Sequence, residues 1–406
     1  MQDSFPELDS VSLYVHIPFC RSKCDYCDFF SVGCSSSVDD AYISALLNEA
    51  DFYAARYGIS TWRTIYIGGG TPSLLSPSQI ERLVLGLRQS ACKNLTEEIS
   101  MEMNPESLSE EKLVSAQKSG VTRLSLGVQS MNQAPLSAVH RPCSAKRTQD
   151  ALELVSSLWK GHLNLDAIAG LPEQNLDTFL SSLEKIISYR PDHISMYTLT
   201  IEDGTPLAKR IDEGEPWDAD EADRQWISGR DFLIKNGFNQ YEVSNFSLPG
   251  CESRHNMAYW MQESYIGLGA GACSSVYSFE RRTSGLRWTN TSDIEKYRDF
   301  WKDGAEIRTG QEKNTREEEI LDLETEEYEF LMMGLRTLRG ISAAEYNKRF
   351  SSLKWHGNLE ERLETGGWSE LGEKGLCGCA RGISGDRFFL TKEGIRFLNS
   401  FLRDLI

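Results

Sequence analysis

The stretch Tyr14–Phe30, YVHIPFCRSKCDYCDFF, decides how the rest of the chain is read. It sets Cys20, Cys24 and Cys27 at C-x3-C-x2-C spacing on a short loop, directly after an apolar run from Val11 to Ile17 that reads as a strand. Three thiolates so close together cannot all bridge one another, and three is one short of a closed tetrahedral zinc site. An iron–sulfur cluster takes four Cys ligands in its usual form. Three would leave one iron with an open coordination position, where something other than protein can bind. A zinc knuckle or three buried free thiols are the plain alternatives; the flanking HIPFC and CDF residues favour the cluster over both.

Beyond this loop, apolar runs of two kinds alternate. Helical spacing marks 38–58, 77–90, 109–119, 145–159 and 175–188. Between them TIYIGGGTPSLL (64–75), EISMEMNP (98–105), VTRLSLGVQS (121–130), HLNLDAIAGLP (162–172) and HISMYTLT (193–200) read as strands. Strands alternating with helices of this length build βαβ units and a parallel sheet. About six units follow from residue 11, fewer than the eight of a closed TIM barrel. The expected architecture is α/β: a partial, open (β/α)6 TIM-like barrel over 1–236, its strand C-terminal ends facing the ligand, with 208–236 as a linking helix. Short strands and Gly-rich turns mark 237–310 as a small α+β region. The charged run 301–326 reads as a solvated linker. Amphipathic helices and a strand-turn-helix ending make 327–406 a winged-helix-like domain.

With a formal net charge of −17, the chain lacks the basic footprint that nucleic acid requires, so the C-terminal domain reads as a packing or interface module. No apolar run approaches the roughly 18 residues that span a bilayer. MQDSFPELDSVS has neither a basic n-region nor an apolar h-region. Cytoplasm is the expected compartment, and ten unevenly spaced cysteines fit a reducing one.

The strand ends carry residues suited to a polar, charged ligand. Gly68, Gly69, Gly70 and Thr71 stand where a strand turns sharply, and glycines let backbone approach a ligand closely. Glu102 and Asp166 suit a ribose diol, and the Arg141 guanidinium suits a carboxylate through a bidentate bond. Gln129 closes SLGVQS. Asp166 among apolar neighbours is expensive to bury without hydrogen bonds. Any one of these residues alone is equally consistent with a surface or structural role.

Taken together and in order, YxHIPFCxxxCxxC, GGGTP, E-x-NPE (Glu102 to Glu106), GVQS, Arg141 and D-x-I-x-GLP (Asp166 to Pro172) resemble the radical S-adenosylmethionine (SAM) family of oxygen-independent coproporphyrinogen III oxidase and its relatives. The resemblance covers the barrel and continues into the C-terminal part. It implies a 4Fe–4S cluster on Cys20, Cys24 and Cys27, with SAM at the open iron and a 5′-deoxyadenosyl radical on its reductive cleavage. By the same resemblance the glycine turn receives the SAM amino group, and Tyr14, Tyr26, Gly70, Glu102, Gln129, Arg141 and Asp166 line the site.

Two departures point within the family. The oxidases place a fourth Cys two residues after the third, where this chain has Phe29, and they carry a longer N-terminal extension than the thirteen residues before Tyr14. Both departures count against decarboxylation of coproporphyrinogen III and resemble the heme-chaperone branch. That branch is marked by HNxxYW, here His255-Asn256-x-x-Tyr259-Trp260. Histidine is a common heme ligand, so His255 is the candidate for heme; a His capping a loop over an aromatic core is the alternative. Where relatives have GAHS this chain has Ala272-Cys273-Ser274, so Cys273 either replaces a histidine ligand or the role is lost. Cys377 and Cys379 form a C-x-C without a nearby partner. The expected function is heme binding and delivery to acceptor proteins; the oxidase reaction, and radical chemistry on an unrelated substrate, are the alternatives. The resemblance also suggests a homodimer.

Overall fold

The alternation of strand and helix is realised nearly element for element in the computed structural model, which describes residues 8–34, 37–281, 284–302, 310–353, 357–382 and 385–405. Six strands lie side by side in parallel and in chain order: β1 (Ser10–Ile17), β2 (Thr61–Gly69), β3 (Glu98–Met103), β4 (Arg123–Gln129), β5 (His162–Ala169) and β6 (His193–Thr198). Helices α1 (Asp40–Arg56), α2 (Pro77–Ser90), α3 (Glu110–Ser119), α4 (Ala145–Leu158), α5 (Leu176–Ser188) and α6 (Ala219–Lys235) return the chain between and after them. Local chemistry sets their starts. Ser76 and Gln79 form a reciprocal capping box on α2, as do Asn175 and Thr178 on α5.

Each strand alternates with period two. Leu13, Val15, Ile65, Ile67, Met101, Leu124, Leu126, Leu165 and Ile194 are all buried in the core shared with the helices. The residues between them are polar: Ser12 and Tyr14, Thr64 and Tyr66, Glu98 and Glu102, Arg123 and Ser125, Asn164 and Asp166, His193 and Ser195. They meet one another on the inner face, as Thr64 to Ser12 (3.0 Å), Tyr66 to Glu102 (2.7 Å) and Asn164 to both Ser125 (2.8 Å) and Ser195 (3.0 Å) show. A closed TIM barrel fills its interior with branched aliphatic side chains. Here the hydrophobic core lies outside the sheet, and the interior is left for polar chemistry.

The sheet does not stop at six strands. β7 (Asn239–Gln240) and β8 (Asn245–Ser247) extend it antiparallel beyond β6. On the other edge β9 (Tyr265–Leu268) pairs parallel with β1, followed by antiparallel β10 (Cys273–Val276), β11 (Gly285–Asn290) and β12 (Arg316–Leu321), for twelve strands in all. The strands of 237–310 therefore join the barrel sheet. The expectation of a solvated linker over 301–326 is corrected by β12, though 303–309 lies outside the described residues. Its four central residues are exposed, but Arg316 is buried, donating to the Tyr53 hydroxyl at 2.7 Å over the Trp288 ring. Charges on an exposed edge strand discourage further pairing, which is why the run looked like linker. The linking helix over 208–236 is two helices, Pro206–Asp212 and α6, broken around Gly214 and Pro216.

After β12, helices Leu323–Gly334, Ala343–Phe350, Leu359–Glu364, Trp368–Glu373 and Leu398–Asp404 surround a three-stranded antiparallel sheet in the order 341–342, 387–390, 377–380. They share a separate core that includes Phe330, Tyr346, Leu363, Phe388 and Phe401. No helix among the described residues is long and apolar enough to cross a membrane.

Candidate functional site

The cysteine loop leaves the C-terminal end of β1. Phe19–Cys20 pairs with Val32–Gly33, which ties down the loop between them. Cys20, Cys24 and Cys27 are free thiols. Burial raises the Cys27 thiol above its ordinary value, and the neighbouring Cys24 and Cys20 push it the same way. Burial raises Cys24 as well, opposed by the Arg141 guanidinium, whose Nη1 lies 3.8 Å from its sulfur. The Thr71 hydroxyl approaches the Cys20 sulfur at 3.5 Å. Thiols such as Cys24 and Cys27, which burial keeps from ionising alone, suit a strongly positive centre, which deprotonates its thiol ligands. The one trio of His, Cys, Asp or Glu groups among the described residues tight enough to converge on a single ion is His162, Asp192 and Cys251, at the N-terminal ends of the strands.

The glycine turn packs against this loop. The Gly70 N–H donates to the Ile17 carbonyl at 2.9 Å. A Cβ on Gly70 would stand 2.7 Å from the Phe19 carbonyl oxygen and 3.0 Å from the Cys20 sulfur. A Cβ on Gly68 would stand 2.9 Å from Glu102 Oε1, and Gly69 has φ +113°. Only glycine lets the ends of β1, β2 and β3 approach this closely. Thr71 also accepts from the Asn104 amide at 3.2 Å.

Glu102, Gln129, Arg141 and Asp166 converge beside the turn. Glu102 accepts from the Tyr66 hydroxyl at 2.7 Å and from the Gly69 N–H at 3.3 Å. Burial pushes its carboxyl up to about 7, and the Asp166 charge adds to the rise. Asp166 rises to about 6 for the same leading reason, opposed by hydrogen bonds from Ser195, Asn164 and Ser125. Arg141 donates to the Gly127 carbonyl at 2.6 Å and to the Tyr26 hydroxyl at 3.3 Å. Gln129 holds a left-handed backbone with φ +65°, rare for a non-glycine residue. Its Oε1 is buried without a partner among the described residues, as are Nε of Arg141 and Oε2 of Glu106. Tyr14 lies deeper on β1, stacked on Tyr66 with its hydroxyl 2.8 Å from the His16 ring. Unpartnered buried polar atoms beside free thiols and a glycine cradle fit a cluster with one open iron and a ligand carrying amino, carboxylate and ribose groups.

His255 stands apart from that cluster of residues. It begins α7 (Arg254–Trp260), which is capped by the Ser253 hydroxyl accepting from the Asn256 N–H. α7 closes the opposite end of the barrel, where the His255 N–H donates to Glu98 at 3.3 Å. The His255 ring is 1% exposed and stacks on Tyr66 at 5.1 Å. Its Nδ1 lies 2.8 Å from the Thr64 hydroxyl and its Nε2 3.2 Å from that of Tyr259. Burial drives it down to about 3, so the ring is neutral at physiological pH. Both ring nitrogens are thus within hydrogen-bond distance of hydroxyls, and the ring packs among aromatic side chains. Cys273 does not meet it, since the rings of Tyr259 and Tyr265 intervene. Cys377 points its thiol at the Trp368 carbonyl, and Cys379 is exposed.

Sequence reasoning missed Tyr66, Asn104, Ser125, Asn164 and Ser195, which hold the named carboxylates and Arg141 in place. The available signal was a polar residue at every second position of otherwise apolar strands.

An open parallel sheet with this loop and these strand ends defines a radical SAM protein, and the Radical SAM superfamily profile matches residues 14–186. The heme chaperone HemW of Escherichia coli (strain K12) is 34% identical over 404 residues, covering 98% of each chain. HemW of Lactococcus lactis is 35% identical over 84% of this chain and 85% of its own. The solved structure of the radical SAM enzyme coproporphyrinogen III oxidase (HemN) from Escherichia coli shares the fold, with a TM-score of 0.78 at 21% identity over 98% of this chain and 91% of that one. The chain belongs to the HemW family of heme chaperones.

Proposed function

We propose that the protein binds heme and delivers it to acceptor proteins, with a 4Fe–4S cluster on Cys20, Cys24 and Cys27 and SAM beside it. The observation that carries this reading is the likeness to HemW across 98% of both chains, barrel and C-terminal part together. When bound, the cluster and SAM supply one-electron chemistry or, as we read it here, a conditioning switch for the carrier. The chain's own residues do the holding. The Gly68–Thr71 turn and Glu102 receive an amino group, Arg141 and Gln129 receive polar groups of the ligand, and Asp166 receives a ribose. Phe29 supports the carrier over the oxidase: it stands where the oxidases have a fourth Cys, and its side chain is 66% exposed. The cytoplasm as compartment, a homodimer, and a winged-helix-like C-terminal domain that docks partners belong to the same reading.

The test is an anaerobic heme titration of the cluster-reconstituted protein, followed by mixing with an apo heme protein. Saturation near one heme per chain, then transfer of the absorption band to the acceptor, is the expected result. Absence of heme binding together with SAM-dependent decarboxylation of coproporphyrinogen III would overturn the reading in favour of the oxidase.

A further inference from the structure

α7 has two faces. His255, Ala258 and Tyr259 turn inward and close the barrel. Met257, Trp260 and the next residue, Met261, turn the other way and line a groove of about 330 Å³ against the C-terminal module, where Phe330 and Ile341 complete an apolar floor. Ligand pockets begin near this size, about 300 Å³. The groove would hold part of a large flat molecule and leave the remainder exposed, as handing a ligand to another protein requires.

The rim is cationic. Arg349 is already neutralised by Glu345 at 2.7 Å and lies over the rings of Phe279 and Phe330. Glu263, also on the rim, pairs with Arg63. Arg339 and Arg387 differ: among the described residues neither has an ion-pair partner. The Arg387 guanidinium donates to the Gly340 carbonyl at 3.0 Å, and that of Arg339 reaches no closer than 3.9 Å to the Met261 sulfur. The two are close enough that Arg339 adds to the lowering of the Arg387 pKa, which burial leads. The chain has 60 acidic residues against 43 Lys and Arg, yet the two carboxylates lining the groove, Glu263 and Glu345, pair with Arg63 and Arg349 instead. The indole N–H of Trp260 likewise has no acceptor among the described residues. Two unneutralised guanidiniums beside an apolar floor complement an aromatic disc carrying two carboxylates on one edge.

We propose that this groove, rather than the His255 ring, is where heme docks, with its propionates on Arg339 and Arg387 and its ring system over Met257, Trp260 and Met261. This rests on the heme-carrier reading above. Guanidinium–carboxylate pairs are bidentate and stronger than neutral hydrogen bonds.

The test titrates heme and heme dimethyl ester, which lacks the carboxylates, into the cluster-loaded protein. The wild type is compared with Arg339→Gln/Arg387→Gln and with Arg339→Lys/Arg387→Lys, with the mass of each followed by light scattering. The Gln pair is expected to weaken heme binding by about ten-fold or more. The Lys pair, which keeps the charges but not the bidentate fork, should recover part of that loss, and the ester should bind all three proteins equally and weakly. If wild type and the Gln pair bind heme alike, the groove assignment is overturned while the carrier reading stands. If the wild type binds no heme, the carrier reading itself has failed. Should the Gln pair not fold, the ester decides: wild-type protein that binds ester as tightly as heme overturns the proposal. A change in particle mass with heme binding intact gives the groove to a second copy of the chain and also overturns it.

Discussion

The two ends of the barrel interior are built from the same residue types and treat them differently. At the N-terminal end Arg123 and Glu98 form a buried pair at 2.9 Å, and Glu98 is further tied to Ser100, Ser253 and the His255 N–H. His193 is held by Asn164 at 2.6 Å and Tyr241 at 2.8 Å, and His255 by Thr64 and Tyr259. Exceptions remain at this end: Arg123 Nη1, Ser247 Oγ on the residue paired with His193, and Asn245 Oδ1 are buried without a partner among the described residues. At the C-terminal end Gln129, Arg141 and Glu106 each keep a buried atom unpaired, Gln129 sits in a left-handed backbone, and Glu102 and Asp166 are pushed toward their neutral forms. A buried polar group left unpaired costs about 1–3 kcal/mol. The floor is held mainly by an ion pair and hydrogen bonds within the chain; the ceiling, in the proposed function, is the end that SAM would complete.

The sharpest way to break that contrast is at the floor. Arg123→Met removes one partner of a buried pair and is expected to destabilise the protein by about 3–5 kcal/mol, measured by urea unfolding. Arg141→Gln, at the ceiling, loses its bond to the Gly127 carbonyl but no ion pair among the described residues, so it should cost less, about 1–2 kcal/mol of ligand-free stability, while abolishing measurable SAM binding. Equal losses of stability in the two variants would erase the distinction.

A smaller effect tests which end His255 serves. His255→Ala leaves a cavity and two unpaired hydroxyls, so its unfolding free energy should fall by about 2 kcal/mol. Its heme titration should match the wild type; a large loss of heme affinity in a fully folded His255→Ala protein would return the ring to the role of ligand.

The smallest effect is one of pH. The Glu102 carboxyl rises in the folded state from 4.5 to about 7. Between those values the folded protein binds more protons than the unfolded chain, so stability falls as pH rises through the window. Glu102→Gln removes this contribution, and its melting temperature should fall less steeply from pH 5 to 7.5, by about 2 °C over the range. Parallel profiles for wild type and variant would show that Glu102 titrates normally.

Much of this was legible in the chain. The boundaries of α2, α3 and α4 follow capping residues and apolar spacing, which are local, and they fell within a residue of expectation. The edges of the sheet were not legible, because β9 to β12 are short and their placement depends on pairing with β1 and with one another across long sequence separations. Arg316 illustrates the difficulty. In sequence it belongs to a charged run; in the fold its charge lies over Trp288.

The sequence by itself determined the cysteine loop, the glycine turn and the polar residues at the strand ends, because ligand spacing and turn chemistry are properties of neighbouring residues. Only the tertiary structure decided where the His255 ring lies. Whether an imidazole faces iron or a hydroxyl depends on which side of α7 meets the barrel, and that is set by Thr64, Tyr66 and Glu98, more than 150 residues away in the chain. The same docking turns Met257, Trp260 and Met261 toward Arg339 and Arg387, and no local pattern in the chain records that meeting.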